Sequence, residues 1–507
     1  MTAVPSRPTR DVLRLPLMGR LLRHRNGRLI LQIPFLLLAV LLIYDGFTGP
    51  QQAAENLATV VPWVHFRGVV VIALLLFGNL VCMGCPFTLP RSLARRFASP
   101  KRRFPRVLRN KWVAIASLIA LFFAYEWLNL WASPLLTAWL IVVYFSASFI
   151  LELLFAESPF CKYVCPLGSF NFAYSSGAPL MIEAKDPEVC KACVGKECVN
   201  GSFAMTPLIR IDTIPVAGQP DGWQVQVTHD RKGVLGCGTE LFVPQIRSNL
   251  DCTLCLDCAR ACPHDNVALA ARRPFRQWFD PAAWPKRWDV ILLIVVLASA
   301  GIVNAFGMIP PVYEVIGRIA SIFGQVENGT VTPLGEAIAL VLLFGVFAVA
   351  LPALLVKGAA RLSRTLAPTK FTYSDRDVAA AFTPAFVPLG LAVWIAHYGF
   401  HFLIGLFTIV PVVQTFLIDH GITLLGEPNW SLVGITDMTI IGIIQVVVMV
   451  GGIGLSLLVA ERAAFRLYKR KAMPGLLPFA LLLLVMMLLA LLTFSQPMEM
   501  RGTVFFD

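Results

Sequence analysis

Charge is what this sequence has least of. Only 14% of its 507 residues are Asp, Glu, Lys or Arg, and 57% are hydrophobic, against roughly 25% charged residues in soluble domains. Several uncharged runs reach the ~20 residues that cross a bilayer as a helix. Catalytic signatures are missing too. No G-x-G-x-x-G run opens a helix and no phosphate loop with its lysine occurs, which argues against dinucleotide and nucleotide chemistry. No nucleophile or substrate carboxylate pair is recognised, so no independent catalytic site for an organic substrate is expected. The seven arginines of residues 1–28 are not followed by a small-residue cleavage site, so this segment is expected to remain in the mature chain.

What charge there is has a pattern. The formal net charge is +13, which would suit a nucleic-acid partner, but its placement argues for a membrane instead. Spans are expected near 29–47, 67–83, 112–131, 136–156, 290–309, 334–356, 378–400, 438–460 and 475–494. With the N-terminus in the cytoplasm, 40 of the 43 Lys and Arg residues then fall on one side, and only Arg67, Arg318 and Arg501 on or near the other. That is the positive-inside bias. The reading is a multi-pass protein of the bacterial inner membrane, with lipid as partner, a periplasmic C-terminus and no nucleic acid. The apolar stretch 378–418 is long enough for a tenth span, but that would carry Arg462–Lys471 outside, so one long or broken helix is preferred.

The fold expected is mainly α, with about nine transmembrane helices and an inserted cytoplasmic α+β domain resembling a bacterial ferredoxin. Residues 1–156 hold four spans and 288–507 five. Between them, 157–287 is the one long polar stretch, turn-rich in Pro, Gly, Asp and Cys, with Trp284 and Trp288 at its exit, where an interfacial aromatic belt belongs.

All twelve cysteines fall on the expected cytoplasmic side, where disulfides are disfavoured and clustered thiols read as metal ligands or redox groups. Cys252-x2-Cys255-x2-Cys258-x3-Cys262-Pro263 is the run that cradles a [4Fe–4S] cube, its fourth cysteine serving a neighbouring cluster. Zinc also binds C-x2-C pairs, but seldom four cysteines in so short a run before a proline. Cross-ligation then predicts one cluster on Cys190, Cys193, Cys198 and Cys262. A second falls to Cys252, Cys255 and Cys258, with Cys237, beyond an insertion at 199–236, as fourth ligand; a plain buried thiol is the other reading of Cys237. Cys82-x2-Cys85-Pro86 and Cys161-x3-Cys165-Pro166 each follow a span on the same side. Together they suit a third [4Fe–4S] cluster, against a redox dithiol, a zinc or copper site, or small buried side chains.

These paired cysteine–proline motifs before a two-cluster run resemble the membrane-bound polyferredoxins of periplasmic nitrate reduction, nitrous-oxide reduction and cytochrome-oxidase maturation. The resemblance covers roughly residues 30–270. It implies electron exchange between the quinone pool and a partner redox protein. The chain departs from that pattern in its shorter first pair, its irregular Cys190–Cys198 loop, its lack of an extracytoplasmic flavin domain, and its five extra spans.

Those spans hold His397 and His401, four apart and so on one helix face. Ionisable groups inside a span suggest a functional site. A quinone headgroup, haem b with His65 or His420 as further ligands, and plain interhelical hydrogen bonding are the readings. Glu126 and Glu152 are candidates for proton handling or for interhelical bonding. Asn79, Asn129 and Gln445 are expected at helix–helix contacts, and His264 is expected to tune a cluster by hydrogen bonding.

The function expected is electron relay between the quinone pool and a dehydrogenase, hydrogenase or reductase. A metal- or thiol-reducing assembly factor is the alternative. A transporter is disfavoured because no matching pair of broken spans occurs in two halves.

Overall fold

The computed structural model describes residues 10–24, 26–97, 102–202, 209–213, 223–227 and 233–500. Arg501, one of the three basic residues assigned to the far side, lies outside them.

Among the described residues, seven segments are long and apolar enough to cross a membrane: Gly27–Thr48, Leu57–Phe77, Pro134–Leu154, Trp288–Phe306, Pro333–Leu366, Asp375–Ile404 and Met438–Phe494. The last contains two helices, Met438–Tyr468 and Ala472–Phe494, parted by a turn at Lys469–Lys471. The nine-span expectation differs at 112–131. There the helix is only Trp112–Trp127, because the chain turns at Asn129 into the left-handed region, φ 46°. No tenth full span forms either. Asp375–Ile404 is followed by a separate helix, Ile409–Asp419, of about 16 Å at 1.5 Å per residue, too short to cross.

Burial separates two kinds of span. Trp288–Phe306 and Asp375–Ile404 are 83% and 89% buried, whereas Gly27–Thr48 and Pro134–Leu154 are 28% buried. The first two are interior helices, apolar all round. The others turn leucines and valines outward, as on Ala472–Phe494, where Leu477, Leu481, Leu484 and Leu488 are exposed. Apolar outer faces on this scale are lipid-facing. Close helix contact comes from small residues: a Cβ added at Gly452 would lie 2.4 Å from that of Ala392, and the Leu389 N–H donates to Ser456 Oγ on the neighbouring helix.

The second span ends earlier than the 67–83 expectation. Gly78 takes φ +65°, ψ −146°, a conformation essentially restricted to glycine. The chain restarts as the short helix Leu80–Gly84, which carries Cys82.

Between the two helical blocks lies a small three-stranded antiparallel sheet in the order Arg10–Asp11, Val267–Ala271, Leu180–Ala184. Its outer strand comes from ahead of the first span, so residues 10–11 join the middle block across the 156/157 boundary. Within 199–236, strands Ile209–Thr213 and Trp223–Val227 pair as a hairpin; residues 203–208, 214–222 and 228–232 lie outside the described residues. Ion pairs Arg28–Asp257, Lys111–Asp251 and Lys286–Asp377 tie this block to span ends on one side of the helical bundle.

Candidate metal centres

Four of the twelve cysteines share one cavity, and the other eight fall into two neighbourhoods in which the thiols influence one another. Cys190, Cys193, Cys198 and Cys262 line one cavity with Val189, Val243, Pro263 and His264. Short helices Pro187–Ala192, Glu197–Asn200 and Asp257–Ala261 present Cys190, Cys198 and Cys258 from their last turns or middles. Donors converge on the sulfurs. Asn266 gives its backbone N–H to Cys262 Sγ at 3.4 Å and its side-chain amide to Cys190 Sγ at 3.2 Å. Burial pushes the Cys198 thiol up to about 12, with the Val243 N–H opposing and the Cys262 and Cys190 thiols adding to the rise.

Cys237 comes beside Cys252, Cys255 and Cys258. After burial, Cys237 is the strongest neighbour raising both the Cys252 and Cys258 thiols. Its own sulfur accepts from the Leu241 N–H at 3.4 Å, and its backbone N–H bonds to the Cys198 carbonyl at 2.9 Å, tying the two groups together. Asp251, Leu254 and Leu256 all have positive φ, which curls the 252–258 loop tightly about its own amides.

Cys82, Cys85, Cys161 and Cys165 share a neighbourhood although 75 residues of sequence part the two motifs at their nearest, Cys85 and Cys161. Burial, then the Cys165 and Cys85 thiols, raises Cys161. Burial, with Cys82 adding to it, takes Cys165 up to about 12. Gly168 donates its N–H to Cys165 Sγ at 3.2 Å, and the Asn171 amide lies 3.2 Å from Cys82 Sγ. A Cβ at Gly168 would press to 2.8 Å from the Cys161 carbonyl, so that close approach needs glycine.

One local rule recurs. Cys85, Cys165 and Cys262, each followed by proline, share the extended conformation, at φ −62°, ψ 121°, φ −66°, ψ 115° and φ −68°, ψ 115°. The proline ring forbids the helical region to the residue before it. Each Cys–Pro step therefore stops a turn and redirects its sulfur.

Two residues that sequence reasoning passed over organise the middle of the array. Arg28 donates to Asp257 at 3.1 Å, to Thr88 Oγ1 at 2.7 Å and to the Met83 carbonyl at 3.4 Å. One turn on, Gln32 donates to the Cys85 carbonyl at 2.9 Å and to Thr88 Oγ1 at 2.7 Å. The signal was their i, i+4 spacing at the mouth of an otherwise apolar span. Asn79 donates to the Cys252 carbonyl at 2.8 Å, so it joins a span end to the cysteine run where a helix–helix contact was expected. Asn129 is an exposed turn residue, again in place of a helix–helix contact, whereas Gln445 does reach the Ala396 carbonyl of the neighbouring helix at 3.2 Å. Glu152 lies 3.9 Å from Arg91, and the His264 backbone N–H points at Cys262.

In the second block, His397 and His401 are buried, and both turn Nε2 to Met308 Sδ at 3.2 Å. The histidines suggested as their partners are elsewhere. His65 faces the Leu406 carbonyl at 3.3 Å, and His420 is exposed beside Tyr44. Arg67, expected near the far side, is instead buried within its span. It donates to the Trp63 carbonyl at 2.6 Å, and its guanidinium lies on the rings of Trp63, Tyr125 and Tyr398; three aromatic faces replace the water it gives up. Glu126 accepts from Asn304 at 3.4 Å.

Four sulfurs per group, with amide donors turned to them, make a soft, thiolate-rich donor set that fits an iron–sulfur cube. Neutral buried thiols become thiolates only when a cation offsets the cost of burial. Comparison of the chain with family models, with curated proteins and with solved structures gave no match.

Proposed function

We propose that this chain is an integral membrane electron carrier holding three [4Fe–4S] clusters: Cys190/Cys193/Cys198/Cys262, Cys237/Cys252/Cys255/Cys258 and Cys82/Cys85/Cys161/Cys165. The observation that supports this reading is that Cys190, Cys193, Cys198 and Cys262 line one cavity, while the remaining cysteines, from separate stretches of sequence, lie near enough in two further neighbourhoods to raise one another's thiols. A bound cube supplies one-electron transfer without bond rearrangement. The chain's own contribution is spacing, burial and the charge around each group, which set potential. Electrons would pass along the groups in order, since the second touches the first through Cys237 and Cys198 and faces the third across Arg28. The middle block is read as a ferredoxin-like domain with a hairpin insertion, and the chain as a relative of the membrane-bound polyferredoxins. The skew of Lys and Arg supports an inner-membrane orientation with the cysteines cytoplasmic. A redox enzyme and the quinone pool are the proposed partners.

A metal- or thiol-reducing assembly factor is the second reading, and a dithiol in place of a cluster at Cys82, Cys85, Cys161 and Cys165 would favour it. Anaerobic purification with iron and acid-labile sulfide analysis, followed by EPR after dithionite, tests the proposal. About twelve irons and twelve sulfides per chain are expected for three cubes. About eight would remove the membrane-side group. Zinc without sulfide would overturn electron transfer altogether.

A further inference from the structure

We infer that His397, His401 and Met308 form a binding site for a single soft cation, Cu(I), on the side of the helical block away from the cysteines. The position follows from chain direction. Trp288–Phe306 and Asp375–Ile404 both start beside the cysteine-bearing block, as the Lys286–Asp377 pair marks, and run away from it. Met308 follows the far end of the first, and His401 lies in the last turn of the second.

The donor set selects the ion. Imidazole nitrogen serves several metals, and it is the soft thioether sulfur beside two such nitrogens that favours Cu(I) over zinc. Geometry agrees. Each Nε2 lies 3.2 Å from Sδ. With metal–nitrogen and metal–sulfur bonds of about 2.0 and 2.3 Å, neighbouring ligands at tetrahedral or trigonal angles stand about 3.5–3.7 Å apart and ligands on opposite sides more than ~4 Å, so the direct 3.2 Å contacts need open by only a few tenths of an ångström to seat one small ion. They do not suit a pair spanning a haem iron. His397 is 0% and His401 1% exposed, so both nitrogens are withheld from water and aimed at one sulfur.

A second observation lies above the site. The stretch Met498-Glu499-Met500 folds back over it: the Glu499 N–H donates to the Met308 carbonyl at 2.8 Å. Met498 packs against the apolar group containing Met308, and both Met498 and Met500 against that containing Phe400. Half-buried thioethers at the mouth of a His–His–Met centre supply successive weak ligands of the same softness, an entry path for a monovalent soft ion.

The test uses the full chain in detergent, cluster-loaded and anaerobic, titrated with Cu(I) against a competing chelator. Wild type is compared with Met308→Leu, which keeps volume, with His401→Gln, and with Cys161→Ser as a control for copper on thiols. Wild type and Cys161→Ser should share a copper-binding equivalent that Met308→Leu and His401→Gln lose or bind about 10-fold or more weakly. X-ray absorption at the copper edge should show imidazole nitrogen together with sulfur. Equal copper retention in all four proteins, or a copper environment of sulfur alone, would overturn the site. Iron content on the same samples keeps the readings apart: iron retained with no copper difference defeats this inference alone, and a copper difference without iron defeats the electron-carrier reading alone.

Discussion

The Arg28 guanidinium stands 3.1 Å from the Asp257 carboxylate, joining the first turn of the first span to the helix that carries Cys258. The same guanidinium neighbours Cys255, Cys161 and Cys85. A fixed cation there stabilises whichever flanking cluster has gained an electron. Replacing Arg28 by Gln should therefore lower the potentials of the second and third clusters, by roughly 50 mV or about 1 kcal/mol for a one-electron centre, while iron content holds. A redox titration followed by EPR measures this. Unchanged potentials would sink the idea of a charge shared between the two groups.

Cys237 reaches its group alone, after the hairpin insertion. Cys237→Ser should cost about four irons per chain and remove one reduced-cluster signal, leaving the other two. Full iron retention in that variant would mean that Cys237 is an ordinary buried thiol.

Gly78 lets the second span stop and hand over to the turn that carries Cys82. Gly78→Ala forces a side chain into a glycine-only region, with its Cβ 3.1 Å from that of Ala178. A loss of about 1–3 kcal/mol is expected, read as a lower melting temperature together with earlier release of iron. A melting curve superimposable on wild type would refute the need for glycine.

Sidedness can be read directly. Leu424, exposed between the Ile409–Asp419 and Met438–Tyr468 helices, and Lys286, at the mouth of the Trp288 span, should lie on opposite faces. With a membrane-impermeant maleimide on spheroplasts, Leu424→Cys should label and Lys286→Cys should not. The reverse pattern would invert the proposed orientation.

How much of this could be read from the chain depends on what each feature is made of. Spans were legible because hydropathy is additive along a run, and the cavity shared by Cys190, Cys193, Cys198 and Cys262 because close spacing along the chain is local. The end of the second span was misjudged, since one glycine at φ +65° outweighed the apolar residues on either side. Arg67 was assigned to a surface because aromatic partners on other helices leave no trace in its neighbourhood. Met308 was invisible for a different reason: a thioether counts as apolar in any pattern, and only the approach of another helix gives it a role. His65 and His420 were proposed as partners for the histidine pair by residue type, and the fold carried both to other neighbours.

The strand Arg10–Asp11 has a consequence for how the protein is built. Asp11 accepts the Leu269 N–H at 3.1 Å across a separation of 258 residues, while Leu13 and Leu22 pack into the same apolar group as Cys198, Cys258 and Cys262. Four helical segments lie between this arm and the strand it pairs, and without the arm Val267–Ala271 would be an open edge of the sheet. A fusion or truncation at the arm would therefore be felt at the cysteines rather than in the membrane.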